Sequence, residues 1–459
     1  MTKGPRKMAE ADRAGAVRLR TPVGLACVAA LLLLAACDER EVILPGKREE
    51  VRSVLQDEPV EDLASTEGNR SRPISLPAPR TNPDWLQSQG TPATRTDHPA
   101  LRATPQLAWS APIGKGDARR NRITADPVVA GGRIFTLDSE ALVTATSTSG
   151  ATLWQTNLVP ATDGADDATG GGIAYGGGRV YVSSGFGRLT ALDPATGGIL
   201  WQQDLDAVGN GAPTFANGVV YLVAGDATGW AIEADTGRIR WQLSSAPDLN
   251  NLLGGPAPAV TDTYAIFGFG SGEVQGVFRE GGRRMWEVIV GGRRLGYARA
   301  NVGDISGSPV VVGDTVYTGS HSGRLVALGV ADGERRWTAD EGPLSPVWVA
   351  GGSVFLVSDR NELVRLDAAT GDRIWGAELP FFVKDRPRRQ SEIFAHYGPV
   401  LAGGRIVVGS SDGYVRFFDP ASGAPRGALE VPGGATVAPV VAGGTLYVVS
   451  GKGVLHAFR

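Results

Sequence analysis

Four aspartates are the first candidates for reactive groups in this chain of 459 residues. Asp193, Asp235, Asp367 and Asp419 stand before turn residues in a recurring motif, which has its fullest form, A-L-D-x-x-T-G-x-x-x-W, at Ala191–Trp201. A carboxylate can serve as a general acid, a general base or a cation ligand. An aspartate directly before a turn can instead accept hydrogen bonds from the backbone N–H groups of that turn. We interpret these four residues as turn caps.

The other candidate groups also lack a reactive arrangement. The four histidines, His98, His321, His396 and His456, do not have the spacing of metal ligands. The acidic run at 163–167 lacks the ligand spacing and the final glutamate of a calcium loop. The sequence contains no P-loop. We therefore predict no catalytic residue, no metal site, no cofactor and no enzymatic activity.

Cysteine chemistry is expected at one position, Cys37. Residues 1–20 carry six basic and two acidic side chains, and Val23–Ala36 is an apolar run of 14 residues ending Leu-Ala-Ala before the cysteine. Such a run is shorter than the ~20 residues that span a bilayer and is typical of a secretion signal. Its end resembles the lipobox of bacterial lipoproteins, which implies cleavage after Ala36 and lipidation of Cys37. The alternative is ordinary signal cleavage with Cys37 unmodified.

The charge balance excludes one class of partner. Without residues 1–36, the chain carries 39 basic and 46 acidic side chains. A chain with no basic excess is not expected to bind nucleic acid.

The four turn aspartates belong to a repeat of four short strands. Its clearest copy is Gly307–Trp337, where the pattern predicts strands at 309–312, 315–320, 324–328 and 334–338. Copies recur at about 38 to 51 residues, which is the spacing of propeller blades. Most copies end in a Trp, which we interpret as a wedge between neighbouring blades, but the copy that ends near Leu429 lacks it.

The two ends of the repeat array predict a closed ring. The eighth copy, Thr436–Arg459, stops after its third strand, and an unattached strand at 106–110 precedes the first copy. We therefore predict an all-β fold, an eight-bladed β-propeller of four-stranded antiparallel blades, closed by an N-terminal strand that completes the last blade. The expected segments are a signal peptide (1–36), the lipidated cysteine with a disordered tether (37–80), a Pro-rich lead-in packed loosely on the ring (81–105) and the propeller (106–459).

Loop lengths distinguish the two faces of this ring. In each blade, the turns between strands one and two and between strands three and four share one face, here called the turn face. The turns between strands two and three, together with the links between blades, share the other, here called the link face. The turn face has short Gly-containing turns, whereas long links occur at 155–170, 242–254, 287–306 and 376–397. Long loops often carry function, so we expect partner binding on the link face.

The repeat motif resembles that of pyrroloquinoline-quinone dehydrogenases, yet the adjacent cysteines of those enzymes are absent. Signal, lipobox, tether and an eight-bladed ring without quinone ligands together resemble the BamB family of outer-membrane assembly lipoproteins. This resemblance implies a non-catalytic scaffold of the β-barrel assembly machinery, lipid-anchored at the outer membrane on its periplasmic side. The implied partners are the POTRA domains of a BamA-like barrel-inserting protein and other subunits of the assembly complex, with unfolded outer-membrane proteins as candidate clients.

Two links carry the resemblance residue by residue. In 248–254, Leu252 and Gly254 fit the family's Leu-x-Leu-Arg-Gly pattern, while Leu253 stands at the Arg position. In 299–306, Asp304 fits the first acid of an Asp-x-Asp pattern and Ser306 replaces the second. The resemblance therefore implies partner binding by an apolar knob and charged neighbours, namely Leu252, Leu253, Asp304, Arg293, Arg294 and Arg299.

Alternatives remain at three points. The ring could be a degenerate periplasmic quinoprotein enzyme or sensor, or a recognition propeller with an unrelated protein or glycan ligand. Asp38, next to Cys37, resembles an inner-membrane retention signal of enteric bacteria, which leaves the destination membrane open. The arginine-rich link at 384–389 could meet a second partner or lipid headgroups, although a solvated loop is the simpler interpretation.

Overall fold

Eight separate antiparallel sheets of four strands each make up the structure, a computed structural model that describes residues 69–209, 211–246, 254–291, 303–384 and 386–459. Short runs of β-branched and aromatic residues form the strands, and Gly-containing turns at positive φ join them. Among the described residues, no helix is long and apolar enough to cross a membrane.

Strands are numbered in chain order, beginning with β1 (Leu107–Pro112). Blades 1 to 4 each take four consecutive strands: β2 (Val128–Ala130), β3 (Arg133–Leu137), β4 (Leu142–Ser147) and β5 (Thr152–Asn157); β6 (Gly171–Gly176), β7 (Arg179–Ser184), β8 (Arg188–Leu192) and β9 (Ile199–Asp204); β10 (Thr214–Ala216), β11 (Val219–Val223), β12 (Thr228–Glu233) and β13 (Ile239–Ser244); β14 (Ala259–Val260), β15 (Tyr264–Gly268), β16 (Glu273–Phe278) and β17 (Arg284–Ile289).

Blades 5 to 7 follow the same order, and blade 8 has three consecutive strands of its own. They are β18 (Ile305–Val312), β19 (Thr315–Ser320), β20 (Arg324–Gly329) and β21 (Arg335–Ala339); β22 (Trp348–Ala350), β23 (Ser353–Val357), β24 (Glu362–Asp367) and β25 (Arg373–Glu378); β26 (His396–Ala402), β27 (Arg405–Ser410), β28 (Tyr414–Phe418) and β29 (Pro425–Glu430); and β30 (Val440–Ala442), β31 (Thr445–Ser450) and β32 (Val454–Phe458). Within the described ranges, a 3-10 turn lies at Pro387–Arg389.

The N-terminal strand closes the ring, as predicted. Strand β1 pairs antiparallel with β32, with Leu107 opposite Phe458 and Pro112 opposite Val454. Gln106 and Arg459 extend the ladder through two backbone hydrogen bonds of 2.6 and 2.8 Å. The predicted strand was placed at 106–110 and the observed one is 107–112. In blade 5 the first strand begins at Ile305, four residues earlier than predicted.

Each terminal Trp docks on the next blade, which confirms its interpretation as a wedge. Its indole N–H donates to a backbone carbonyl in the turn between strands three and four of that blade. The pairs are Trp109 with Thr148, Trp154 with Pro194, Trp201 with Ala234, Trp241 with Arg279, Trp286 with Val330, Trp337 with Ala368 and Trp375 with Pro420, at 2.9 to 3.3 Å. The seven indoles therefore form one repeated contact between neighbouring blades.

Blade 7 lacks the Trp because it has no equivalent turn to dock on. In its outer strand, Gly427 opposes Phe417, at the register where Trp337 opposes Ala327 in blade 5. The next blade is blade 8, whose outer strand is β1 from the other end of the chain. A turn between β32 and β1 does not exist, so an indole at position 427 would have no acceptor of this kind.

Residues 69–105, here called the strap, cross the turn face and contact every blade. Trp85 exchanges two backbone hydrogen bonds of 2.8 Å with Val129 in blade 1. The contacts with blades 2 to 8 are Leu86 O with Tyr175 N, Gln87 Oε1 with Phe215 N, Pro92 O with Val260 N, Ala93 O with Val311 N, the Trp85 ring with the Trp348 ring, Pro99 O with Gly403 N, and Asn82 O with Gly443 N. They all involve the first strand of a blade or the turn after it.

Residues 81–105 pack more closely on the ring than the loosely packed lead-in expected from the sequence. Trp85, Gln87 and Gln89 are 1 to 3% exposed, because they fill the turn-face end of the central channel. Residues 69–80, placed in the tether by the sequence, also contact the ring: Arg72 N donates to Ala421 O, and the Arg365 guanidinium donates to Arg72 O at 2.6 Å. The strap satisfies polar backbone groups of the first strands that would otherwise face an open channel.

Candidate functional site

Three of the four turn aspartates cap their turns, as interpreted from the sequence. Asp193 Oδ1 accepts hydrogen bonds from the backbone N–H groups of Ala195 and Thr196, at 2.9 and 2.8 Å. Asp419 Oδ1 accepts two of 3.0 Å from the corresponding groups of its own turn, and Asp367 Oδ1 accepts one of 2.9 Å from Ala369 N. These carboxylates are therefore engaged by the backbone at the turn face.

Asp235 does not cap its turn, which corrects the interpretation at that position. Glu233 occupies the place of the motif aspartate, and its Oε2 accepts a 2.8 Å hydrogen bond from the Thr236 hydroxyl. Asp235 lies two residues further on and forms an exposed ion pair of 2.6 Å with Arg179. An exposed ion pair of this kind contributes little to stability.

The capping aspartates are ionised at neutral pH, since each has a lowered pKa. Hydrogen bonds from the Thr196 hydroxyl and backbone hold the pKa of Asp193 below its usual value. Burial alone would raise the pKa of Asp419, but hydrogen bonds from Arg426 and Ser422 outweigh it and lower the pKa. A general base or acid for neutral pH needs a pKa shifted toward 7, so these shifts run in the wrong direction for proton transfer.

His396, at the start of β26, lies between a hydroxyl group and a backbone carbonyl. His396 Nδ1 lies 2.7 Å from Ser410 Oγ, and its Nε2 lies 2.8 Å from Pro380 O. Burial lowers the pKa of His396, since the charged imidazolium loses more hydration than the neutral ring. Within the described ranges, no group of three or more His, Cys, Asp or Glu side chains is placed to hold a metal ion.

The central channel forms a polar cavity of about 520 Å³ on the link face. Its wall consists mainly of residues from the links that precede first strands, and Ser88 of the strap is also part of it. Asp117 is fixed in this wall: its Oδ1 accepts from Ile123 N at 2.9 Å and its Oδ2 accepts from the Thr436 hydroxyl at 2.7 Å. Because the strap fills the turn-face end, the accessible mouth of the channel belongs to the link face.

Two ionisable groups that interact electrostatically, Arg95 of the strap and Asp126 of the ring, lie where the strap meets the channel. Arg95 packs between the rings of Trp85 and Trp348, with its guanidinium carbon 5.5 and 4.8 Å from the two ring centroids. Burial lowers the pKa of Arg95 to about 10. Burial raises the pKa of Asp126, against hydrogen bonds from Ser88 and Ala438 and the nearby positive charge of Arg95. Arginine nevertheless stays charged at neutral pH, and this positive charge favours the ionised form of Asp126.

Of the predicted partner-binding residues, Asp304 falls within the described part of the chain. Leu252, Leu253, Arg293, Arg294 and Arg299 lie outside the described residues. Asp304 precedes β18 and is 3% exposed. Its backbone carbonyl accepts a 2.8 Å hydrogen bond from His321 N.

The ends of the two predicted binding links meet at one small cavity. Gly254, which ends the first link, and Asp304 and Ser306, which end the second, line the same cavity of about 160 Å³. The structure thus brings these chain positions together on the link face, as expected for consecutive links. The strap was missed in the sequence; Trp85 in a Pro-rich stretch was the one available signal for it.

Comparisons with known proteins agree with this architecture. The family model described as outer membrane protein assembly factor BamB matches residues 139–377. Curated BamB proteins from Yersinia pestis and Escherichia coli K12 are 27% and 28% identical to the chain. Each match covers 77% of this chain, with 89% and 88% of the respective relative.

Solved structures show the same fold. BamB from Moraxella catarrhalis superimposes with a TM-score of 0.64 at 19% identity, covering 78% of this chain and all of that one. Quinohemoprotein alcohol dehydrogenase from Comamonas testosteroni has a TM-score of 0.54 at 18% identity, covering 82% of this chain and 80% of that one. The propeller is therefore shared with enzymes, but the family model matches just over half of the chain. The chain belongs to the BamB family of outer membrane protein assembly factors.

Proposed function

We propose that the chain is a non-catalytic scaffold lipoprotein of the outer-membrane β-barrel assembly machinery. In this role its link face binds the POTRA domains of a BamA-like barrel-inserting protein. Membership of the BamB family supports a role in outer-membrane protein assembly. The turn aspartates accept backbone hydrogen bonds and have lowered pKa values, which supports a role without proton-transfer chemistry.

One observation supports the link face as the partner-binding face. The strap crosses the turn face and fills its end of the channel, while the ends of the two candidate links line one cavity on the link face. A partner that grips both links at once gains two adjacent contacts on a rigid ring. Adjacent contacts around an apolar centre are the usual basis of a specific interface.

The candidate binding residues would make two kinds of contact in that interface, one apolar and one charged. Leu252 and Leu253 supply an apolar knob, and Arg293, Arg294 and Arg299 supply the basic group that orients the partner. Asp304 is buried in the described conformation, so it acts by shaping the end of its link. A charge at the rim contributes mainly to orientation and association rate, whereas the apolar anchor contributes most of the affinity.

Anchoring places this interface at the outer membrane. Cleavage after Ala36 and lipidation of Cys37 leave 31 residues between the lipid and Asn69, where the strap begins. The ring then stands on the periplasmic side, within reach of the barrel-inserting protein and the other subunits of the assembly complex.

Substitution of the knob tests the proposal. We expect Leu252→Asp to abolish co-purification with the barrel-inserting protein from solubilised envelope, because a charge at the apolar anchor must be desolvated on binding. The melting temperature should change little, since the substitution lies in a link outside the sheets.

Val208→Asp is the matched control. Val208 is 47% exposed in the link between blades 2 and 3, on the same face. Co-purification should survive this change. Equal loss in both variants, or retention in Leu252→Asp, would show that the partner does not bind through the proposed knob.

A further inference from the structure

A small hairpin projects from the link between blades 6 and 7. Phe382 and Ile393 form an antiparallel bridge, Val383 N donates to Glu392 O at 3.0 Å, and Phe394 N donates to Phe381 O at 2.8 Å. The Asn361 amide fixes the base of the hairpin by donating to Phe394 O at 2.9 Å. The arginine-rich segment is therefore the tip of this hairpin.

Cationic side chains crowd this tip. Lys384, Arg386, Arg388 and Arg389 are all exposed, and none of the ion pairs between described residues involves them. The segment 384–392 also contains two acidic residues, so its net charge is positive. Beside the tip, Val383 and Ile393 expose 40 and 47% of their surface. An exposed pair of aliphatic side chains next to four cations is the composition of a segment that lies in a lipid interface.

The first residues of the strap contact the strand that precedes this hairpin. The side-chain amide of Asn69 exchanges two hydrogen bonds, of 2.8 and 2.9 Å, with the backbone of Gly376, and Arg70 N donates to Ile374 O at 3.0 Å. Both acceptors belong to β25, the outer strand of blade 6, which ends at Glu378 just before the hairpin. Gly376 and Phe381 are five residues apart, or at most about 17 Å along an extended chain.

Tether length then sets the distance from the lipid. Between Cys37 and Asn69 the chain advances by 32 residues. For the disordered tether expected from the sequence, this length gives a root-mean-square reach of roughly 30 Å. A group held this close to a surface experiences it at an effective concentration in the millimolar range. Weak contacts between the hairpin and the bilayer therefore become populated.

We propose that the hairpin of residues 381–384 and 386–394 is a docking element for anionic phospholipid, which turns the blade 6–7 edge of the ring toward the membrane. Guanidinium groups bind phosphate oxygens in a bidentate manner, and the two aliphatic side chains enter the headgroup region. This inference rests on the proposed lipid anchor for its geometry, but the hairpin's affinity for lipid is a property of the ring itself.

Vesicle flotation of a chain that begins at Asp38 tests the proposal without the lipid. The strap and the closing strand lie entirely within this chain. We expect it to float with vesicles of phosphatidylglycerol and phosphatidylethanolamine in equal parts at low salt, and not with phosphatidylcholine vesicles. Each Arg near an anionic surface adds about 1 kcal/mol, so Arg388→Glu/Arg389→Glu should lower partitioning about thirtyfold or more. Binding should also weaken as salt is raised to about 0.1 M and above.

Arg119→Glu/Arg120→Glu is the matched control, because it makes the same charge change at exposed positions of the link between β1 and β2. It should retain anionic binding within about twofold. No flotation of the parent chain with anionic vesicles, or equal loss in the two double variants, would overturn the proposal. Arg388→Glu/Arg389→Glu should keep co-purification with the barrel-inserting protein, while Leu252→Asp should keep vesicle binding. The lipid and protein contacts can thus fail independently.

Discussion

At the residue scale, a glycine and an indole make the recurring contact between blades. The glycine in the turn between strands three and four lies against the Trp of the preceding blade. In blade 6, Gly371 has φ +80°, and a Cβ added to it would lie 2.7 Å from Cε3 of Trp337. The motif's T-G dipeptide therefore serves two needs, the left-handed turn and the close approach of the ring.

We expect Gly371→Ala to destabilise the ring more than Gly352→Ala. Both glycines have positive φ in blade 6, at +80° and +68°, but nothing lies within 4 Å of a Cβ at Gly352. The left-handed backbone costs about 1–2 kcal/mol in either variant, and displacement of the indole adds about 1–3 kcal/mol in Gly371→Ala. Guanidinium unfolding of both variants measures the difference, and equal midpoints would contradict the packing argument.

At the element scale, the strap behaves as a brace inserted into the channel. Repeat proteins of this kind hold together through contacts between neighbours, yet the strap contacts all eight blades at once. Some of its contacts join residues more than 300 positions apart, such as the Arg405 guanidinium with Arg102 O. Loss of the brace should therefore loosen the whole turn face.

Trp85→Ala tests the brace. Trp85 is 1% exposed, and truncation of a buried Trp costs about 3–5 kcal/mol. Trp85→Phe is the matched control: the indole Nε1 has no hydrogen-bond partner in the described part of the chain, so the smaller ring loses contact area but no hydrogen bond. We expect trypsin to cleave after Arg95 rapidly in Trp85→Ala and slowly in Trp85→Phe. Resistance of both variants would mean that the strap is held elsewhere.

At the scale of the whole molecule, ring closure includes a titratable group. His456 on β32 faces the closing strand, with its Nδ1 2.8 Å from Ser110 Oγ and its Nε2 3.3 Å from Ser450 Oγ. Burial lowers the pKa of His456 from 6.5, so the folded ring favours the neutral imidazole. An unfolded chain therefore takes up this proton first as the pH falls.

We accordingly expect the contribution of His456 to the free energy of unfolding to be greatest above about pH 6.5 and to decrease as the pH falls below it. His396 contributes in the same direction, since burial lowers its pKa as well. His456→Gln should reduce the slope of stability against pH between about 7 and 5, and His456→Gln/His396→Gln should reduce it further. Urea unfolding at several pH values measures these slopes. Equal slopes in the parent chain and in His456→Gln would contradict the assignment.

The sequence alone determined the eight blades, the closure by strand β1 and the role of the terminal Trp residues. These features arise from a short-range pattern that recurs along the chain, so counting strands was sufficient. The same pattern also indicated which face carries the long links, because an up-and-down blade alternates its turns. The residues expected to bind a partner within those links remain predictions.

Three features become visible only in the folded ring: the strap, the reason for the missing Trp in blade 7 and the contact of Asn69 and Arg70 with β25. The strap has no periodic pattern, since its side chains meet eight different blades in succession at channel positions that no local rule encodes. Its contacts follow from which backbone groups the closed ring leaves unpaired. That set of groups exists only once residues hundreds of positions apart have been brought together.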